Sequence, residues 1–162
     1  MGLGQVYQIN VKERKEGERG LPKRPVNSAK ISTPGLEGDY NVYRHDILSG
    51  DLDSAVLFMP IEMLEQLNKE GWPVKPGDIG ENITTIGISY ESFSPGKKCL
   101  IGKVETVISR ACEPCKNLYL LPYVGANKGP EFMKSLIGRR GWYARVIKEG
   151  IVEKGDAILV QD

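Results

Sequence analysis

The stretch KCLIGKVETVIS, which runs from Lys98 to Ser109, has the composition of a β-strand and leads directly into a pair of closely spaced cysteines. Its Val, Ile and Thr residues suit a pleated, half-buried surface. Six more apolar runs of strand length share this composition, and they are Gln5–Val11, Val26–Ser32, Ser54–Met59, Glu81–Ile88, Trp142–Ile147 and Ala157–Gln161. The 19 glycines and 10 prolines separate these runs. The pattern predicts a mainly β fold with seven strands.

Two segments have the periodicity of a helix instead. In PIEMLEQLNKEG (Pro60–Gly71), the apolar residues Ile61, Leu64 and Leu67 fall on one helical face. A proline is tolerated at a helix start and a glycine is a natural stop, so both ends of this segment fit a helix. The segment GPEFMKSLIG (Gly129–Gly138) has the same one-sided apolar pattern over about two turns. We therefore predict two short helices among the strands.

Length and composition predict one globular domain over residues 1–162, because a chain of this size buries a core without disulfide bonds. Hydrophobic residues make up 40% of the chain and charged residues 27%. The formal net charge is +1, so we expect neither nucleic acid nor an anionic membrane as a partner. The charged beginning of the chain lacks the apolar region of a secretion signal, and no apolar run has the length of a membrane span. We expect a cytoplasmic protein with reduced cysteines.

The motif SRACEPCKNLY (Ser109–Tyr119) places Cys112 and Cys115 three positions apart. Such a pair is typical of a thioredoxin-like redox site, but the βαβ context of that site is missing here. A zinc site could combine the pair with Cys99 and His45, although a second close pair of ligands is absent. The other two interpretations are one thiol that acts alone and two inert loop cysteines. The motif by itself leaves all four open.

Cys115 is the better candidate for a single reactive thiol. Pro114 fixes φ just before it, and Arg110 and Lys116 bring positive charge that favours a thiolate. A thiolate is the form that attacks electrophiles and that ligates a soft metal. His45 is the only histidine in the chain, so any Cys-His catalytic arrangement must use it.

The glycine-rich segment KPGDIGENITTIGI (Lys75–Ile88) allows close backbone approach to a partner and presents Glu81 and Asn82 where a strand begins. It is neither a Walker loop nor a dinucleotide fingerprint, because no Gly-Lys-Ser/Thr follows and no helix opens after it. Basic residues gather in two other places and comprise Lys23, Arg24, Arg139, Arg140 and Arg145. Guanidinium groups match phosphates and carboxylates bidentately, so these residues would form an anion pocket if the fold brought them together.

Taken in order, these segments resemble the MOSC domain, the module named for the C-terminal part of molybdenum-cofactor sulfurases. The similarity covers nearly the whole chain and runs through GQVYQINV, LPKRPVNSAKISTPGLEGD, YRHDILSGDLDSAVLF, PIEMLEQLNKEGWPVKPGDIGENITTIGI, PGKKCLIGKVETVISRACEPCKNL and GRRGWYARVIKEGIVEKGD. It implies a stand-alone MOSC domain with a β-rich, barrel-like fold and a few short helices.

The resemblance also implies roles for individual residues. The functional cysteine of the family follows a proline, so Cys115 is the expected molybdenum ligand or sulfur carrier and, with His45, the expected catalytic residue. The sequence HDILSGD departs from the commoner His-Gly-Gly form of the family at this histidine. Cys112 is expected to be an accessory or resolving thiol. The cofactor-binding residues that the resemblance implies are Lys23, Gly80, Glu81, Asn82 and Arg145. We also expect Arg44 and Arg139 to bind the cofactor.

The cofactor that the resemblance implies is the molybdenum cofactor, a pterin dithiolene that bears a phosphate. Pyridoxal phosphate is not expected, because no Schiff-base lysine stands out. The implied chemistry is either reductive, such as reduction of N-hydroxylated compounds, or transfer of a persulfide sulfur, with a redox or sulfur-donor protein as partner. The alternatives are a non-catalytic binding or delivery module for the cofactor and a dithiol redox protein that uses Cys112 and Cys115.

Overall fold

Seven strands close into a barrel in the part of the chain that this computed structural model describes, which is residues 2–18, 20–40 and 50–162. His45 and Arg44 lie outside the described residues. The described strands are β1 Gly2–Val11, β2 Arg24–Val26, β3 Ser28–Ser32, β4 Gly35–Leu36, β5 Val56–Pro60, β6 Ile83–Ile86, β7 Lys98–Ile101, β8 Val104–Ala111, β9 Trp142–Lys148, β10 Gly150–Glu153 and β11 Ala157–Gln161. The α-helices are α1 Ile61–Lys69 and α2 Gly125–Ser135.

The order of strands around the barrel is β1, β11, β7, β8, β9, β5, β6 and back to β1. Neighbours are antiparallel except β5 and β6, which are parallel and are therefore joined by a crossover that contains α1. β2 extends the sheet beside β1, and β10, β3 and β4 form a separate three-stranded sheet. The prediction of a mainly β, barrel-like fold with a few short helices is confirmed.

The apolar side chains form two main clusters. One fills the barrel interior, where inward-facing residues of the strands such as Ile9, Phe58 and Cys99 are fully buried. The other, with Leu67 and Phe132 at its centre, packs the two helices against the outside of the barrel. β5 contributes to both clusters, which explains its uninterrupted apolar run.

Three element boundaries differ from the sequence prediction. The run from Lys98 to Ser109 is a hairpin of β7 and β8, turned at Gly102, which has φ +55°. The run from Val26 to Ser32 is divided between β2 and β3, because β2 pairs with β1 whereas β3 pairs with β10. Helix α2 begins at Gly125, four residues before the predicted start, and includes Pro130.

Candidate functional site

A cavity of about 400 Å³ opens between the loops at one end of the barrel. This volume lies within the usual range of small-molecule sites, which is about 300–1,000 Å³. The residues that line it are Gly20, Leu21, Lys23, Tyr40, Leu57, Gly80, Arg110, Ala111, Cys112, Glu113, Pro114, Cys115, Asn117, Arg140 and Tyr143. They come from segments far apart in the chain, which only closure of the barrel brings together.

The two cysteines of the Cys-x-x-Cys motif both line this cavity, but they differ in exposure. Cys115 is half-buried and directly precedes a short 3₁₀-helix, Lys116–Leu120. Cys112 is 5% exposed, and its backbone N–H donates to the carbonyl oxygen of Gly141 at 2.8 Å. Burial raises the pKa of the Cys112 thiol. Cys115 is therefore the thiol that a ligand in the cavity reaches first.

Arg140 supplies a buried positive charge to the cavity. Its side chain is 5% exposed, and its Nε and Nη1 atoms have no hydrogen-bond partner within the described residues. Burial alone lowers the pKa of a guanidinium, but Cys112 and Tyr143, when ionised, raise the pKa of Arg140 above its usual value. A buried cation without a partner costs free energy, so this group is poised to receive an anion from the cavity.

Lys23 also lines the cavity, but its charge is matched by a buried carboxylate. Its Nζ atom donates to the two carboxylate oxygens of Asp39 at 2.7 and 2.6 Å, and both side chains are almost fully buried. Asp39 accepts two further hydrogen bonds, from Asn82 Nδ2 at 2.8 Å and from the backbone N–H of Lys12 at 2.9 Å. Lys23 is therefore held in a fixed position beside the cavity as half of an ion pair.

Of the expected Gly80–Asn82 loop, only Gly80 reaches the cavity wall. It has φ +91°, and a Cβ atom at this position would lie 2.7 Å from Leu21 Cδ2 and 3.9 Å from Arg140 Nη2. Asn82 is buried behind it, and its Oδ1 atom accepts from the backbone N–H of Leu57 at 3.0 Å. Glycine is needed here both for its backbone conformation and for close contact.

Glu81 is fully buried directly behind Gly80. Its Oε2 atom accepts from the hydroxyl of Thr84 at 3.0 Å, whereas Oε1 has no hydrogen-bond partner among the described residues. Burial raises the pKa of Glu81 to about 7. The carboxyl group is thus harder to ionise than that of a solvent-exposed glutamate.

Two of the expected cofactor-binding arginines lie away from the cavity. Arg139 donates from Nη1 and Nη2 to the carboxylate of Glu70 at 2.6 and 2.8 Å. Arg145 is half-exposed on β9 and donates from Nε to Asp53 at 2.9 Å. Neither is among the residues that line the cavity.

Among the residues that the structure describes, the arginines that line the cavity are Arg140 and Arg110. Arg110 pairs with Asp51 at 3.0 Å, and its guanidinium lies 5.3 Å from the ring centroid of Tyr143. No sequence pattern separates Arg140 from Arg139, because adjacent residues of a turn point in different directions. The following residue, Gly141 with φ +108°, marks the turn that directs Arg140 inward.

The structure does not bring Cys99 to the other two cysteines. Cys99 is fully buried in the barrel interior, where burial raises its pKa to about 12. All three cysteines are free thiols. Across residues 2–18, 20–40 and 50–162, no group of three or more His, Cys, Asp or Glu side chains is placed to hold a metal ion. A Cys₃His zinc site would therefore lack Cys99.

The protein is a closed β-barrel that brings a thiol and a buried guanidinium to one cavity. Residues 45–159 match the sequence profile of the MOSC domain, and the chain belongs to this family. The family is associated with the molybdenum cofactor.

One relative in sequence is the uncharacterized protein YflK of Bacillus subtilis (strain 168), which is 29% identical over 147 residues. These residues are 87% of this chain and 62% of YflK, so the chain spans less than two thirds of the length of that relative.

Solved structures share the fold at low identity. The YUAD protein from Bacillus subtilis superposes with a TM-score of 0.80 and 16% identity, over 99% of this chain and 96% of that one. YiiM from Geobacillus stearothermophilus superposes with a TM-score of 0.72 and 24% identity, over 98% of this chain and 75% of that one. No α-helix in the described ranges is long and apolar enough to cross a membrane.

Proposed function

We propose that the cavity binds the molybdenum cofactor, with Cys115 as the protein ligand of the metal. The observation that carries this proposal is the presence, in one cavity of about 400 Å³, of the half-buried Cys115 thiol and the Arg140 guanidinium, whose Nε and Nη1 atoms have no hydrogen-bond partner among the described residues. The cofactor combines a metal that prefers soft ligands with a phosphate group. A thiolate suits the first and a guanidinium the second.

The other cavity residues have supporting roles in this proposal. Leu21, Leu57 and Tyr143 provide apolar wall for the ring system, and Arg110 at the cavity wall adds a second positive charge. When bound, the cofactor would supply oxygen-atom or two-electron reductive chemistry, for example toward N-hydroxylated compounds. We also propose a cytoplasmic location and a redox or sulfur-donor protein as partner. Cellular reductants there would keep the three thiols free.

The test is metal analysis of protein purified from a host that makes the cofactor. We expect molybdenum or tungsten in the parent protein, and its loss in Cys115→Ser with the fold intact by circular dichroism. Cys112→Ser is the matched control, because that thiol is buried and should leave most of the metal bound. Equal metal content in the parent and in Cys115→Ser would contradict the proposal.

Sulfur transfer is a second candidate function for the same thiol, because Cys115 is the accessible cysteine of the cavity. In that function Cys115 would receive the terminal sulfur of a donor protein's persulfide, which releases the donor thiol and leaves a persulfide on Cys115. Mass spectrometry after incubation with such a donor would detect the added sulfur. A persulfide in the parent but not in Cys115→Ser, together with absence of bound metal, would favour this function.

The variants also separate the remaining alternatives. A delivery module would bind the cofactor without steady-state turnover of an N-hydroxylated substrate. A dithiol redox protein would lose activity equally in Cys112→Ser and Cys115→Ser. The burial of Cys112 predicts a milder effect for its substitution.

A further inference from the structure

The cationic side chains that line the cavity differ in depth. In the described part of the chain they are Lys23, Arg110 and Arg140. Lys23 and Arg140 are each 5% exposed, whereas the side chain of Arg110 is 41% exposed. Lys23 is paired with Asp39, and Arg140 is the group proposed above for the phosphate of the cofactor. Arg110 is therefore the cation that a second ligand meets at the open side of the cavity.

Three neighbours hold the Arg110 guanidinium in one orientation. Its Nη2 atom donates to Asp51 Oδ2 at 3.0 Å and to the hydroxyl of Ser54, and the guanidinium lies 5.3 Å from the ring centroid of Tyr143. Tyr143 stands opposite Arg110 in the pairing of β8 with β9, so the register of the sheet fixes this contact. A side chain that is already ordered loses little conformational entropy when a ligand binds to it.

The Arg110 guanidinium keeps hydrogen-bond donors for a ligand. Within the described residues both of its hydrogen bonds come from Nη2, and Nε and Nη1 make none. Asp51 already balances the charge of Arg110, so a ligand group with one negative charge suits this site better than a dianion. The usual singly charged anionic group of small organic molecules near neutral pH is a carboxylate.

The lining next to Arg110 restricts the rest of such a ligand. Ala111 and Pro114 follow it in the chain and add apolar surface to the cavity, together with Leu57. The exposed carboxylate of Glu113 also lines the cavity and disfavours a ligand with further negative charges. A carboxylate on a small apolar body therefore fits this part of the cavity.

We propose that Arg110 binds the carboxylate group of a second ligand with an apolar body, in the cavity that contains the Cys115 thiol. This inference rests on the proposed function in one respect, which is that the second ligand is the substrate of the cofactor-loaded protein. The substrate class is then a small carboxylic acid. The binding site itself consists of protein groups alone and is testable without the cofactor.

Alkylation of Cys115 in protein from a host that does not make the cofactor provides the first test. We would measure rate constants with iodoacetate, which carries a carboxylate, and with neutral iodoacetamide, and identify the alkylated peptide by mass spectrometry. Because both reagents attack the same thiolate, the ratio of the two rate constants cancels any change in its population. Arg110→Gln should lower the iodoacetate-to-iodoacetamide ratio about tenfold, because it removes a charge-assisted hydrogen bond.

Arg145→Gln is the matched control for the change in net charge. Arg145 is also half-exposed and paired with an aspartate, Asp53, but it does not line the cavity. Its substitution should change the ratio less than about twofold, since charges outside the site are screened by salt. An equal ratio in the parent protein and in Arg110→Gln would overturn the inference.

Benzoate, a carboxylate on an apolar ring, is the second probe, with neutral benzamide as its control. Benzoate should slow the reaction of Cys115 with iodoacetamide in a saturable manner in the parent protein and in Arg140→Gln, but not in Arg110→Gln. Benzamide should protect none of them. Protection that is lost in Arg140→Gln and kept in Arg110→Gln would assign the carboxylate to the buried guanidinium and overturn the inference. Absence of protection in the parent protein would do so even if Arg110→Gln failed to fold.

Neither probe needs a bound metal, so the result is independent of the metal analysis. Bound molybdenum or tungsten without protection by benzoate would support the proposed cofactor function and contradict the carboxylate site. Protection by benzoate through Arg110 without bound metal would support the carboxylate site and contradict the cofactor function.

Discussion

At the scale of single residues, position rather than residue type decides which charges belong to the cavity. Arg139 and Arg140 are adjacent, yet the first forms a surface ion pair with Glu70 and the second is buried without a hydrogen-bond partner in the described part of the chain. A surface ion pair contributes about 0–1 kcal/mol. An unpaired buried charge, in contrast, lowers stability unless a ligand compensates it.

This difference predicts opposite effects of one substitution at two neighbouring positions. Arg140→Met should raise the free energy of unfolding by about 1–3 kcal/mol, because it removes buried polar groups that have no partner. It should also abolish binding of sulfate, which serves here as a probe for the phosphate group of the proposed cofactor. Arg139→Met, the matched control, should lower the free energy of unfolding by no more than about 1 kcal/mol and leave sulfate binding unchanged. Urea unfolding in sulfate-free buffer measures both, and a destabilised Arg140→Met would contradict the argument.

At the scale of elements, the presence of the strands was more predictable than the residues at which they begin and end. The segment Gln5–Val11 is an alternating run that lies within β1, as predicted. The hairpin of β7 and β8 was predicted as one strand because its turn interrupts the apolar pattern only at Gly102 and the next residue. Helix α2 starts before its predicted limit because tertiary packing against the 3₁₀-helix overrides the poor helix propensity of Gly125 and Gly129.

The site was less predictable than the strands, because only pairing between strands far apart in the sequence brings its residues together. The Pro114–Cys115 motif identified the accessible thiol of the cavity, whereas nothing local indicated that Asp39 would pair with Lys23. That pair depends on chain segments whose relative positions are set by the barrel. Sequence patterns report local periodicity and carry no information on which loops meet.

The contact between α2 and the 3₁₀-helix gives a prediction at this scale. A Cβ atom at Gly129 would clash with the ring of Tyr119, so Gly129→Ala should lower the free energy of unfolding by about 1–3 kcal/mol despite the better helix propensity of alanine. Adding Tyr119→Ala should recover part of the loss that Gly129→Ala causes. Asn127→Ala, on the exposed side of the helix, is the control and should not destabilise. Thermal or urea unfolding of these three variants and of Tyr119→Ala alone completes the test, and additive effects of the two single substitutions would contradict the contact.

At the scale of the whole molecule, the closed barrel divides the three thiols into one accessible group and two that are protected. Cys99 is inside the barrel and Cys112 is under the cavity wall, while Cys115 is half-buried at the cavity. Burial raises the pKa of Cys99 and of Cys112, which further lowers the population of their reactive thiolates.

A thiol titration with Ellman's reagent should therefore count one fast-reacting cysteine in the native protein. All three should react in denaturant, since all are free. Cys115→Ser should leave no fast-reacting thiol, whereas Cys112→Ser should leave the fast phase unchanged. Rapid reaction of two thiols in the native parent protein would show that Cys112 is not protected by the barrel.

The pairing of β1 with β11, which places Gly2 opposite Val160, has a consequence for the order of folding events. Hairpins such as β7–β8 pair residues that are close in sequence, so they can form early. The pairing of β1 with β11 closes a loop of nearly the entire chain and is therefore expected to form late. The residues that line the cavity come from chain segments that meet only when the barrel closes. The cavity is therefore complete only after the transition state of folding has been passed. A bound ligand should therefore lower the rate constant of unfolding and leave that of folding almost unaltered.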